Sequence, residues 1–92
     1  SARERSGIME ALASARSLLR DCLIRLEDPS ADLANEDVAE VVERLAAATD
    51  TSGAVRALAA VARAEARIAR SITPQLAIEV MLFDIRKALL CL

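Results

Sequence analysis

The chain has 92 residues, a formal net charge of −2, 54% hydrophobic and 28% charged residues, no histidine, tyrosine or tryptophan, and a single aromatic, Phe83. That balance argues against disorder, gives no general affinity for nucleic acid or an anionic membrane, and leaves no Cys/His or Ser/His/Asp arrangement for covalent catalysis. With two glycines and two prolines in an alanine-rich chain, it predicts one small all-α domain over 1–92, a helical bundle of four to five helices.

The first helix is expected over about Gly7 to Glu27. Ile8, Leu12, Ala15, Leu19, Cys22 and Leu26 recur at alternating steps of four and three, the spacing of a packed seam, and Leu18 and Leu23 widen it. Asp28-Pro29-Ser30 stops it, because proline disfavours helical geometry in the residue before it. After a loop through Ala34, Asn35 is a good N-cap, and Glu36 and Asp37 suit the positive end of a helix over about Glu36 to Ala48. Val38, Val41, Val42 and Leu45 form its expected inner face, and Glu36, Glu40 and Glu43 its outer one. TDTSG at 49–53 is a turn, followed by a third helix over about Ala54 to Ser71. There Leu58, Val61, Ile68 and Ile72 point one way, while Arg56, Arg63, Arg67 and Arg70 share about 60° of the opposite side. Thr73 can cap the last helix, and Pro74 fits its first position, where a missing N–H costs nothing.

The last helix carries apolar residues on two sides. Ile78, Leu82, Ile85, Leu89 and Leu92 make one seam; Leu76, Val80, Phe83 and Leu90, with Lys87 among them, make a second. One seam can pack into the bundle. The other needs either a central position for this helix or a separate chain, since exposed apolar patches mark protein contacts. The candidate interface residues are therefore Leu76, Val80, Phe83, Lys87 and Leu90, with Arg63, Arg67 and Arg70 as rim charges.

The remaining charges are uneven. Residues 28 to 50 hold seven acids and one arginine, a balance of −6, whereas residues 51 to 71 stand at +3; exposed pairs between them would steer register more than stabilise. Glu65 falls within the apolar face of the third helix, and a buried lone charge is costly, so Glu65 and Lys87 are expected to approach each other.

No catalytic, cofactor or metal site is expected. Gly7 and Gly53 cannot make a phosphate-binding loop or a dinucleotide fingerprint. Cys22 and Cys91 fit buried free thiols in a reducing compartment, and zinc would need more ligands than two cysteines supply. An all-helical enzyme working by placement of arginine and glutamate, as in the all-helical chorismate mutases, would require a pocket lined by several arginines. Glu79 interrupts the longest apolar run, well short of the ~20 residues of a membrane span, and SARERSG at the start does not resemble a signal peptide. The first residue is Ser1, not Met, and the chain is expected to be an excised fragment or to begin with a tag remnant.

Three stretches, ARSLLRDCLIRL at 15–26, LANEDVAEVVERLA at 33–46 and AEARIARSITPQLAIEVMLFDI at 64–85, together resemble the C-terminal helical domain of bacterial DNA polymerase III clamp-loader subunits, delta-prime most closely and gamma/tau next. The most specific element joins the last two helices. The family has an Asn-Pro-Arg-Leu-x-Leu-Glu type stretch there, and Thr73-Pro74-Gln75-Leu76-Ala77-Ile78-Glu79 fills the same pattern, with Thr73 keeping a capping oxygen and Gln75 losing a charge. The Arg20-Asp21 pair also fits the family's first helix. The resemblance implies a cytoplasmic bacterial protein whose AAA+ modules lie upstream. It also implies a collar domain that holds those modules in the ring that loads the sliding clamp, with gamma/tau and delta as partners and no catalytic residue in this region. A freestanding helical dimerisation or adaptor module, in which the same seam pairs the chain with itself, is the alternative.

Overall fold

The computed structural model describes residues 1–33 and 35–90; Ala34 and the C-terminal Cys91 and Leu92, the last of which was expected to extend a seam, lie outside them. It is all-α: α1 (Ala2–Glu27), a single 3-10 turn (Glu36–Val38), α2 (Ala39–Ala48), α3 (Thr51–Ala69) and α4 (Pro74–Leu90). No described helix is long and apolar enough to cross a membrane.

α1 and α3 begin and end for local reasons. α1 starts at Ala2 rather than near Gly7, because Ser1 and Glu4 form a capping box: the Glu4 amide donates to Ser1 Oγ at 3.3 Å while the Glu4 side chain accepts from the Ser1 amino group. It stops at Asp28, whose carboxyl accepts from the Ser30 hydroxyl (2.8 Å) and the Ser30 amide (3.1 Å). Those bonds, the hydroxyl first, hold Asp28 below the usual carboxylate range. α3 starts at Thr51, before the expected Ala54, because Asp50 Oδ1 accepts from the Gly53 amide at 2.7 Å and draws 51–53 into the first turn.

α3 also ends early, at Ala69. The Ile72 amide reaches back to the Arg67 carbonyl (2.9 Å) and the Ser71 amide to the Ile68 carbonyl (3.1 Å), the paired bonds of a Schellman close. Ser71 occupies the left-handed position with φ 68°, where glycine is the usual residue. The turn swings Ile72 out to solvent, so it does not continue the inner face of α3.

The helices lie in the order α2, α1, α3, α4, each packed mainly on the next. The result is a slab of about 41 × 29 × 16 Å, little more than one helix thick. Two apolar clusters fill it. The larger joins α1, α3 and α4 through Leu12, Leu19, Val61, Ile68, Met81 and the alanines at 57, 60, 64, 77 and 88. The smaller joins α1, α2 and the start of α3 through Cys22, Leu33, Val42 and Ala54. Burial pushes the Cys22 thiol up, so it stays protonated at neutral pH. Val41, expected on the inner face of α2, is exposed instead, because α2 touches α1 along a stripe centred on Val42.

The connection between α1 and α2 is tied down by a buried acid. Asp21 Oδ2 accepts from the Asn35 amide (2.7 Å) and from the Asn35 side-chain nitrogen (2.6 Å), which also donates to Ser17 Oγ at 3.0 Å. Asn35 thus stands at the N-cap position of the 3-10 turn, but the side-chain cap expected of it does not form. Its side chain is spent on α1.

At the other end, α3 and α4 run antiparallel and approach closely at Gly53. A Cβ there would lie 2.7 Å from the Ala88 carbonyl oxygen and would also collide with Thr49 Oγ1. Gly53→Ala should therefore lower the unfolding free energy by about 1–3 kcal/mol. Ser71→Gly should raise it by about 1 kcal/mol by removing the left-handed penalty. Urea denaturation of the two variants beside the parent chain checks both signs.

Candidate interaction surface

α4 is built inside out for a helix at the edge of a domain. Its buried positions are Ala77, Met81 and Ala88, with Ile78, Ile85 and Leu89 half-buried around them. Its large apolar side chains turn away from the core: Leu76 is 54% exposed, Leu82 56%, Phe83 63% and Leu90 50%, and Val80 is half-buried. Leu82 was expected in the packed seam. It lies outside because the alanine-lined face of α3 accepts a narrow strip of α4 centred on Met81, and Leu82 sits on the far flank of that strip.

The expected interface residues of α4 thus share one continuous outer face. Leu76, Val80, Phe83, Lys87 and Leu90 follow one another at steps of four, three, four and three. The Lys87 ammonium stands 5.4 Å from the centroid of the Phe83 ring one turn back, a cation–π contact that keeps its charge on this face. Beside this stripe runs a short charged row, Glu79 and Arg86, with Leu82 on its far side. Glu79 accepts from Gln75 Nε2 at 3.3 Å, and Arg86 has no hydrogen bond or ion pair with any described residue.

The expected pairing of Glu65 with Lys87 does not form. Glu65 lies on the edge of α3 that faces α1 and is held by Arg16. Lys87 lies on the far side of α4, with α3 between them. The pairing that does form was hidden in the sequence because Arg16 falls on the outer part of α1 and its long side chain reaches across the helix boundary.

The arginine row of α3 is only partly free. Arg56 Nη2 donates to the Ala88 carbonyl at 3.3 Å, which satisfies an acceptor near the C-terminal end of α4 and suits that end's negative partial charge. Arg63 approaches Asp84 of α4 at 3.5 Å, a weak exposed pair. Arg67 is partly buried, with Nη1 lacking a hydrogen-bond partner, and Arg70 is exposed just past the helix end. Of the three proposed rim charges, Arg63 therefore reaches α4 through Asp84, while Arg67 and Arg70 lie at the turn that leads into α4. Two surface depressions, about 340 Å³ around Arg25, Asp32 and Glu36 and about 320 Å³ around Arg5, Ile8 and Pro74, carry one arginine each, and neither gathers the arginines of α3.

No family model matches the chain, and neither a curated protein nor a solved structure matches it.

Because Phe83 contributes little to the core, Phe83→Ala should cost less than about 1 kcal/mol of stability in dilute solution, against about 2–5 kcal/mol for Ile68→Ala. Chemical denaturation at low micromolar concentration distinguishes the two.

Proposed function

We propose that this chain is a subunit-association domain, and that it serves as a collar element of a bacterial DNA polymerase III clamp loader, of the delta-prime or gamma/tau type, in the cytoplasm. The observation that carries the reading is the inversion of α4, which buries alanines and presents leucines and a phenylalanine to solvent. A helix so arranged is costly to leave bare in a monomer and useful in an assembly, where apolar anchors at the centre of an interface supply most of the binding energy.

The resemblance gives the reading its particular content. Its three stretches fall on α1, on the 3-10 turn with α2, and on the α3–α4 hairpin. Its most specific segment, Thr73 to Glu79, occupies the turn and the first part of the helix that carries the apolar face. In a collar, a domain touches neighbours on more than one side while the ATPase modules work beneath it, and a flat slab with one apolar edge suits that task.

The test is direct association. Size-exclusion chromatography of the chain mixed with gamma/tau and delta subunits should show co-elution. Phe83→Asp should weaken that co-elution at least ~10-fold without changing the helical circular dichroism. Absence of co-elution with each of these subunits would remove the clamp-loader assignment.

A further inference from the structure

We propose that the outer face of α4 pairs with the same face of a second copy of this chain, the two helices running antiparallel. The inference rests on the reading of α4 as the docking face, and is independent of which larger assembly the chain joins.

The first argument is the charged row. Glu79 and Arg86 lie on one line of the helix, flanked by Leu76, Phe83 and Leu90 on one side and Leu82 on the other. They are seven residues apart, about 10 Å along the axis, too far to neutralise each other within their own helix. A charge of each sign inside an apolar face calls for a partner bearing the opposite order of signs. An antiparallel copy of α4 bears that order. Glu79 of one chain then meets Arg86 of the other, and Arg86 meets Glu79, around a two-fold axis near Met81 and Leu82.

The same arrangement orders the apolar stripe. With steps of four and three, Leu76, Val80, Phe83 and Lys87 occupy alternating seam positions. Antiparallel pairing places Val80 against Phe83 twice, and Leu76 against the aliphatic stem of Lys87 twice, with the ammonium free at the rim. The Glu79–Arg86 contacts then fall on the flank of the seam, where charged pairs choose orientation. A parallel pair fails on both counts: Lys87 meets Lys87 at the seam, and Glu79 faces Asp84 across the flank.

The second argument is surface. The accessible area is 5873 Å², about 700 Å² above the ~5,200 Å² expected for a compact monomer of this mass. That excess accompanies a slab little more than one helix thick. Half of the exposed large apolar side chains among the described residues, Leu76, Leu82, Phe83 and Leu90, lie on this one helix, so a second copy seated there would cover the largest share of the bare apolar side chains.

Sedimentation equilibrium of the 92-residue chain tests the proposal. The parent chain should dimerise at micromolar concentration, more weakly as salt is raised. Glu79→Arg and Arg86→Glu should each weaken the dimer about tenfold, because each turns two attractions into two repulsions. An equimolar mixture of the two variants, and the double variant E79R/R86E, should both recover dimerisation. Both residues are exposed, and circular dichroism verifies that the variants fold. A parent chain that stays monomeric into the millimolar range overturns the proposal. So does failure of the mixture to recover, or strengthening of the dimer by Glu79→Arg, which marks a parallel pair. Co-elution with clamp-loader subunits is read separately. A chain that dimerises as described but captures none of them keeps this inference and loses the collar assignment, and the converse result does the reverse.

Discussion

Close approach to the alanine face of α3 governs the whole molecule. Ala54, Ala57, Ala60 and Ala64 are completely buried, and with Val61 and Ile68 they form the surface on which the neighbouring elements rest. Small side chains let helix axes come near one another, and Gly53 extends that surface to the end of the helix. They also limit what a neighbour can insert. α4 meets α3 with Ala77 and Ala88 on either side of Met81, and Ile78, Ile85 and Leu89 are half-buried around them. Leu76, Leu82, Phe83 and Leu90 lie off that strip, so their exposure follows from how narrow the contact is. The bare apolar edge is in this sense a product of how the core is packed.

Much of this was legible in the sequence. The α1 seam holds: Leu12, Leu19 and Cys22 are buried, and Ile8 and Leu26 pack beside them. Pro74 opens the last helix as expected, although α3 has already closed at Ala69 through left-handed Ser71, and the stripe from Leu76 to Leu90 lies outward. What was not legible depends on neighbours distant in the chain. Alternation of apolar residues on α4 gives two seams of equal strength, and nothing local says that alanines and Met81 would be the buried choice or that Leu82 would be left out. Ile72 continues the periodicity of α3 but falls beyond a left-handed Ser71, which breaks the helical phase. Glu65 was recognisable as a charge needing a partner, yet the partner lies 49 residues away on α1. The cap of α1 was within reach of the sequence, since Ser1-x-x-Glu4 carries the usual capping-box signal, and the cap candidates in TDTSG include Asp50, whose carboxyl accepts from the Gly53 amide.

The apolar edge and the charged row on it fit one physical task, recognition between helices. In the proposed pairing the apolar stripe would supply affinity without choosing a direction, since leucine packs on leucine in either orientation, and Glu79, Arg86 and Lys87 would supply the choice. This division between a non-directional attraction and a directional charge pattern is how helical interfaces reach specificity at small size. It is available here because the row lies on the bare face, where Glu79 accepts from Gln75 of its own helix and Arg86 bonds to no described residue.

The Asp21–Asn35 tie has a separate bearing on motion. Among the described elements, α2 is held chiefly by α1, through the smaller cluster and this one buried carboxylate, whereas α3 is gripped from both sides. Free energies of local opening are therefore graded across the slab, lowest at the acidic margin and highest along α3. That margin and the bare edge of α4 lie at opposite ends of the slab, with α1 and α3 between them, so opening at the first need break none of the α3–α4 contacts.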